Sequence, residues 1–281
     1  MDPDALLNGR LGRLMLNELA RIGPENWDAV ANWDAAALLR PVAAAAGRWA
    51  FGSGGPELDA ALKAGAESLR PLAELVAAAP AAAWWGEPAA REHQRWLGCV
   101  HHPVLARGAA VAEAVRTAGH TGAWWSGLLG GTVWTSRGDI DLNGLPAVGL
   151  ACAEDPFGEE TFDVWALRAG PEARVYEVQG PADWARLAGT YPLSVPASHE
   201  WHRWTGQDGP WIKPDWPAVA QDWDGVHVSV GGYLTTAGLA VGGTLLAGWD
   251  ADQTLWLRDV FTDVRQLTTW HGFPGPEAIS A

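Results

Sequence analysis

The sequence predicts an α+β protein in which a helical N-terminal part packs on a mainly antiparallel β-sheet or sandwich in the C-terminal part. Two observations predict this class: apolar residues recur at helical spacing before residue 120, and short apolar runs bounded by turn residues follow it. A regular alternation of strand and helix patterns is missing from the sequence, so we do not expect a doubly wound parallel sheet. We divide the chain into a helical region, residues 1–120, and a Trp-rich acidic region, residues 121–281. The two regions can belong to one continuous domain.

The first region is predicted to consist of helices. Leu7, Leu11 and Leu14 recur at helical spacing, and Pro3 suits the first turn of their helix. Gly23 and the proline that follows it provide a stop signal. Further helices are predicted over residues 34–40, 58–75, 88–96 and 103–118, with an interruption at Pro41 and a loop at 52–55.

The second region is predicted to be rich in strands, because it contains short runs of alternating or continuous apolar residues separated by turn residues. The predicted strands are residues 132–137, 147–153, 161–168, 174–179, 225–237, 244–250 and 254–261. Two short helices are predicted over residues 181–187 and 214–220, since each segment begins with Pro and Asp, which suit a helix N-terminus.

Charge and tryptophan are concentrated in the second region. Residues 1–120 hold 11 basic and 13 acidic residues and six Trp, whereas residues 121–281 hold 8 basic and 20 acidic residues and 13 Trp. The formal net charge of −14 disfavours binding to nucleic acid or to an anionic membrane surface. The start of the chain lacks the pattern of a signal peptide, and two cysteines do not make a disulfide framework, so we expect a cytoplasmic protein.

The segment 225–237 carries the predicted catalytic residues. If the segment is one strand, His227, Ser229 and Tyr233 share a face, because alternate residues of a strand point the same way. Histidine titrates near neutral pH, so His227 is the predicted acid–base residue, and Tyr233 would orient or donate to the substrate. Ser229 lacks the Gly-x-Ser-x-Gly pattern of a hydrolase nucleophile. The alternative is an ordinary solvated face of a sheet.

A second candidate cluster follows the segment Ser-His-Glu-Trp-His-Arg-Trp, which begins at residue 198. His199 and His202 are three residues apart and would share a face of a helical turn. Trp201 and Trp204 lie between and after them and are predicted to bind ligand. The spacing is not that of the zinc protease motif, so we predict no metal and no cofactor. The alternative is a loop packed by its indoles.

Two further groups are candidates for ligand binding. Trp124 and Trp125 are adjacent indoles that could clamp a flat or cationic ligand, or could simply pack in the core. Arg137 and Arg174 could hold an anionic group, although single arginines at strand ends are commonly surface residues.

The second region also resembles ADP-ribosyltransferases, in its arginine on a strand, its strand with Ser and Thr, and its aromatic residues. The resemblance implies an enzyme that uses NAD, with a catalytic Glu on a late strand. After Glu200 the only Glu in this sequence is Glu277, so Asp250 or Asp252 would have to take that role.

The sequence leaves two classes of function open. The first is a small-molecule enzyme with a Trp-lined pocket for an aromatic or cationic substrate, plausible in bacterial specialised metabolism because 17 of the 19 basic residues are Arg, as in GC-rich genomes. The second is a non-catalytic immunity or resistance protein that sequesters a compound or a basic protein. Replacing His227 by alanine should abolish turnover in the first class and change little in the second. The oligomeric state is not predicted.

Overall fold

A computed structural model describes residues 1–50, 56–99, 105–117, 133–154, 158–195 and 199–279. It confirms the α+β class, with helices dominating the N-terminal part and a mostly antiparallel sheet built largely from the C-terminal part. The α-helices are α1 (Pro3–Asn8), α2 (Arg10–Leu19), α3 (Ala35–Ala50), α4 (Pro56–Gly65), α5 (Arg70–Ala78), α6 (Ala109–Thr117), α7 (Val148–Cys152), α8 (Pro181–Thr190), α9 (His199–Thr205), α10 (Trp216–Asp222) and α11 (Val230–Thr236). Short 3₁₀ segments span Ala20–Ile22, Pro24–Asn32, Ala66–Leu69, Pro80–Gly86 and Pro276–Ile279.

Seven strands form the main sheet and two form a separate ribbon. The strands are β1 (Gln94–Gly98), β2 (Val133–Arg137), β3 (Thr161–Ala169), β4 (Val175–Val178), β5 (Pro192–Val195), β6 (Trp211–Pro214), β7 (Gly225–Val228), β8 (Gln253–Trp256) and β9 (Phe261–His271). The sheet order is β4-β7-β8-β2-β1-β3-β9, and only the β4–β7 pair is parallel. β5 and β6 pair with each other. β1 belongs to the region that was predicted to be helical, and it forms an inner strand of the main sheet.

The apolar residues of the N-terminal helices pack in the interior, and in α2 eight of the ten residues are buried. Leu11, Leu14 and Met15 of α2 are buried, as the helical spacing predicts. Asp2 caps α1 by accepting a hydrogen bond from the amide of Asp4 at 3.0 Å. The helix predicted to stop at Pro41 instead continues to residue 50 as α3, with the proline inside it.

Two predicted elements have the wrong type. The predicted helix 88–96 is wrong, because the segment enters strand β1, where residues alternate between buried and partly buried. The predicted strand 147–153 is also wrong, because Val148–Cys152 is the short helix α7. A run of apolar residues this short does not distinguish a buried strand from a buried helix, and here four of the five residues of the helix are buried.

The predicted strand 225–237 divides at Ser229. β7 ends at Val228, and Ser229 then caps α11 by accepting a hydrogen bond from the amide of Gly232 at 2.9 Å. The predicted common face of His227, Ser229 and Tyr233 is therefore wrong. Serine is a good N-cap because its hydroxyl satisfies one of the first amides of the helix, and this local hydrogen bond overrides the alternation of valines.

The remaining strand predictions differ mainly in their extent. Five of the seven predicted strands coincide at least in part with observed strands. Residues 244–250 form only isolated bridges, at Thr244 and Leu246. β9 was predicted only at its first residue, because most of its residues are exposed on both faces and it lacks the usual alternation. Its first residue, Phe261, is buried against Trp256.

Several of the described tryptophans pack against one another, and most of these are buried. Trp249 contacts Trp134, Trp184 and Trp216, with ring centroids 4.7, 5.9 and 6.1 Å away. The arrangement ties the loop before β8 to β2, α8 and α10. The high tryptophan content of the second region therefore stabilises the fold to a large extent, since each buried indole removes a large apolar area from water.

Gly232 provides a test of the junction between β7 and α11. A Cβ at this position would overlap the carbonyl oxygen of Val178 at the end of β4. Replacing Gly232 by alanine is therefore expected to lower the free energy of unfolding by about 2 kcal/mol, because the backbone must move to relieve the clash. Urea unfolding followed by circular dichroism measures the change.

Gly189→Ala is the matched control for this substitution. Gly189 lies on the exposed side of α8, and no atom of the described residues lies within 4 Å of where its Cβ would be. Alanine should be neutral there or stabilise the helix by up to about 1 kcal/mol. Equal effects of the two substitutions would show that α11 does not approach β4 closely.

Candidate functional site

His227 lies in the middle of a set of charged groups that come from four separate segments. It faces Glu177 across the parallel β4–β7 pair, and its Nδ1 is 2.6 Å from Glu177 Oε2. Its Nε2 is 3.3 Å from Oδ1 of Asp252, which precedes β8. Asp252 in turn contacts Arg137 at the end of β2. We call Glu177, His227, Asp252 and Arg137 the acid–histidine cluster.

Asp252 joins the two basic members of the cluster. Its Oδ2 accepts a hydrogen bond from the backbone amide of Arg137 at 2.8 Å, and its Oδ1 accepts one from Arg137 Nε at 3.2 Å. The residue has a φ of 53°, in the left-handed region that Asp tolerates better than most side chains. The turn before β8 thus aims this carboxylate into the sheet, where it binds β2 and β7 at once.

Arg137 is buried and every nitrogen of its guanidinium has a partner. Besides Asp252, it donates to Glu87 Oε2 and to the carbonyl of Pro88, each at 3.1 Å. The guanidinium carbon also lies 5.1 Å from the ring centroid of Trp84. Glu87 is the exposed end of this chain of contacts. Arg137 therefore connects the interior of the sheet to the segment that follows the 3₁₀ turn Pro80–Gly86.

His227 is positively charged at neutral pH. Its complete burial would lower the pKa of the imidazole, but the hydrogen bonds and charges of Asp252 and Glu177 outweigh this effect and raise the pKa to about 9. Both ring nitrogens then carry protons and donate to carboxylates. A ring with both nitrogens protonated has no lone pair to accept a proton, so the charged imidazole of His227 can donate a proton but cannot take one up.

Glu177 is the member of the cluster that reaches solvent. Its side chain is 23% exposed, because β4 lies at the edge of the sheet, whereas the side chains of His227, Asp252 and Arg137 are at most 4% exposed. Its Oε1 accepts a hydrogen bond from the amide of Ala89 at 3.1 Å. The carboxylate is therefore held in one orientation at both oxygens while part of its side chain remains exposed to solvent.

The sequence analysis did not single out Glu177. A signal for it exists in the sequence: the segment Val-Tyr-Glu-Val places one acid in an otherwise apolar strand, and such an acid needs a buried partner. The partner, His227, lies 50 residues away and cannot be identified from spacing.

The cluster lies at the carboxyl ends of β4 and β7, the two parallel strands. β4 leads into α8 and β7 leads into α11, so both helices begin beside it. Ser229 Oγ donates to Gln179 Oε1 at 3.1 Å and links the two strand ends. In sheets with parallel strands, ligands characteristically bind beyond the carboxyl ends, where loops and helix starts converge.

Tyr233, the other predicted catalytic residue, contacts a different group. It is completely buried in α11, and its hydroxyl donates to Glu154 Oε1 at 2.7 Å. Burial and the neighbouring charges of Glu154 and Asp250 raise the pKa of the phenol well above its usual value. With Ser229 engaged as a helix cap, the structure does not bring the three predicted catalytic residues into one site.

The predicted ligand-binding residues of the 198–204 segment lie beside a surface hollow. Trp201 is completely buried against Trp211, and His202 lines the hollow with its Nδ1 3.0 Å from Asp208 Oδ1. Neither His227, Ser229 nor Tyr233 lines it. The side chains of His199 and Trp204, and all of Trp124 and Trp125, lie outside the described residues.

Arg137 and Arg174 do not form a common anion site. Arg174 precedes β4 and is half exposed, 3.7 Å from Asp224. Arg137 is the last residue of β2, which lies three strands away from β4 in the sheet and runs in the same direction. Arg174 lies before the start of β4, so the two arginines are also about five residues apart along the strand direction, and their backbones are on the order of 20 Å apart. The positions of the arginines therefore give no support to the resemblance to ADP-ribosyltransferases.

In the parts of the chain that the structure describes, no three His, Cys, Asp or Glu side chains are arranged to bind a metal ion. Within the same parts, no helix is both long and apolar enough to cross a membrane. Searches with this chain among protein families, curated proteins and solved structures find no match.

Proposed function

We propose that this protein is an enzyme acting on a small organic cation, with the Glu177 carboxylate as its acid–base group. The observation that carries the proposal is the partly exposed carboxylate of Glu177, fixed at one oxygen by the imidazolium of His227 and at the other by the amide of Ala89. A positioned carboxylate of this kind can accept a proton from a bound substrate and return it.

The buried members of the cluster position this carboxylate. Asp252 holds the charged imidazole from behind, and Arg137 holds Asp252. A base whose orientation is fixed before the substrate arrives avoids the cost of ordering it in the transition state. His227 acts through Glu177 in this proposal, which assigns the reactive role to a different residue from the one that the sequence favours.

The charge around Glu177 supports a cationic substrate. Glu87 is exposed and lies in the segment that also supplies the amide of Ala89. The formal net charge of the chain is −14, so its field attracts cations and repels anions. A primary amine, an amidine or a quaternary ammonium compound therefore fits the site better than a phosphate or a carboxylic acid.

The experiment screens a panel of such cations, each paired with a neutral isostere, for an increase in melting temperature. We expect Glu177→Gln to weaken binding of the cations that stabilise the wild-type protein at least about tenfold, because it removes the charge that receives them. Glu92→Gln is the matched control, since Glu92 is an exposed acid three residues after Ala89 in the sequence. An equal loss in both variants would contradict the proposal.

Mass spectrometry of the recovered ligand then separates an enzyme from a binding protein. An enzyme should convert the ligand, and Glu177→Gln should slow conversion by a factor on the order of 10²–10⁴, as expected for removal of a general base. Recovery of an unchanged ligand would contradict the enzymatic proposal and favour sequestration, the other function that the sequence leaves open. This test is sharper than His227→Ala, which would also damage the buried cluster.

A further inference from the structure

A hollow of about 240 Å³ lies between α9 and the end of the β5–β6 ribbon. Its lining includes His202 at the end of α9, Asp208 and Pro210 of the following loop, and Val195 and Trp211 from the two strands. The pockets that hold drug-sized ligands usually occupy about 300–1,000 Å³, so this hollow suits a smaller molecule.

Trp211 forms a rigid apolar side of the hollow. Trp211 is almost completely buried, and its ring lies 4.9 Å from that of Trp201 behind it, with the planes tilted by 32°. A Cβ on Gly209 would come within 2.7 Å of the Trp211 ring, so the loop backbone lies directly against the indole. An indole held in this way gives the hollow a rigid wall, which loses little conformational entropy when a ligand contacts its accessible part.

The polar side of the hollow carries an accessible carboxylate. Asp208 is 92% exposed and 3.0 Å from the ring of His202, which is itself 53% exposed. Gln207, another lining residue, adds an amide that can donate and accept hydrogen bonds. A flat molecule with a positively charged edge could therefore place its ring against the exposed Pro210, over the small accessible part of Trp211, and donate to Asp208.

We propose that this hollow is a second binding site, specific for a small planar aromatic cation such as an aromatic amidine or amine. The site is lined by Val195, His202 and residues 207–211 and shares no residue with the acid–histidine cluster. The inference therefore does not depend on the function proposed for Glu177.

Benzamidine is the probe, with benzamide as its neutral isostere and benzoate as its anionic counterpart. In a ligand-detected NMR titration of the full chain we expect benzamidine to bind with a dissociation constant on the order of 1 mM or lower. Benzamide and benzoate should bind at least about fivefold more weakly, because they lack the positive charge that Asp208 receives. Equal binding of the three compounds, or no binding of benzamidine, would overturn the proposal.

Three variants locate the bound probe. Asp208→Asn should weaken benzamidine binding about fivefold, and it should not affect folding because the residue is exposed. Asp263→Asn on β9, another exposed acid, should leave the affinity unchanged. Loss of binding in Glu177→Gln with no effect of Asp208→Asn would place benzamidine at the acid–histidine cluster, which would refute the second site while leaving the proposed function intact.

Discussion

Replacing Asp252 by asparagine is expected to lower the free energy of unfolding by about 3–5 kcal/mol. The substitution leaves Arg137 and His227 buried after removing the negative charge that both of them contact. Removing this carboxylate is costly because Arg137 and His227, which have lost their solvation by water, each keep only one acidic partner, Glu87 and Glu177 respectively. Asparagine tolerates the left-handed backbone of residue 252 about as well as aspartate does, so the loss reports the charge.

Glu87→Gln is the control for this prediction, because it removes a different partner of the same arginine. The side chain of Glu87 is 57% exposed, and an exposed ion pair contributes at most about 1 kcal/mol. Urea unfolding of the two variants at pH 7 and equal ionic strength gives the comparison. A loss below 1 kcal/mol for Asp252→Asn, equal to that of Glu87→Gln, would mean that Asp252 is not a buried counterion.

The fold class was predictable because its signals are local. The helical spacing of Leu11 and Leu14 in α2, and the alternation of buried and exposed residues in the first half of β3, reflect which side of each element faces the core. Such periodicity follows from burial on one face alone. Elements with this pattern were therefore found, with boundaries a few residues from the observed ones.

The change from strand to helix at Ser229 could not be predicted from the apolar pattern of segment 225–237. The alternating valines at 226, 228 and 230 continue past the end of the strand, and two glycines follow that are poor helix formers. Besides the N-cap at Ser229, a tertiary contact favours the helix: α11 approaches β4 so closely that only a glycine fits at residue 232. Only the assembled fold contains that information.

The candidate site was predictable in part. The sequence identified His227 as a functional candidate, because a histidine stands out in a strand of valines. Its partners Glu177 and Asp252 lie 50 and 25 residues away, and their convergence depends on the order of β4, β7 and β8 in the sheet. The role of the histidine changes with these partners, since an imidazole between two carboxylates keeps both of its protons at neutral pH.

The stability of the protein is expected to fall by about 3 kcal/mol as the pH rises from 6.5 to above 9, through the deprotonation of His227. The pKa of this side chain is about 9 in the folded protein and 6.5 when exposed. A group whose pKa is raised by folding contributes its full stabilisation below the pKa of the unfolded chain, and loses it as the pH approaches and passes the pKa of the folded state. The charged groups that surround it are Glu177 and Asp252, with Arg137 behind Asp252.

Urea unfolding at pH 6.0, 7.5, 9.0 and 9.5 measures this dependence. Burial raises the pKa of Tyr176, Tyr191 and Tyr233 above 10 and raises that of the Cys152 thiol as well, so these groups stay protonated in the folded protein throughout the window. They lower the stability only toward its upper end, where the unfolded chain begins to ionise them. His227→Gln should remove most of the slope between pH 6.5 and 9 because it removes the titrating group. His93→Gln should preserve the slope, since His93 is exposed and outside the cluster.

A wild-type protein whose stability is constant across this window would show that His227 is not held charged between two carboxylates, and the positioning role assigned to it would then be wrong.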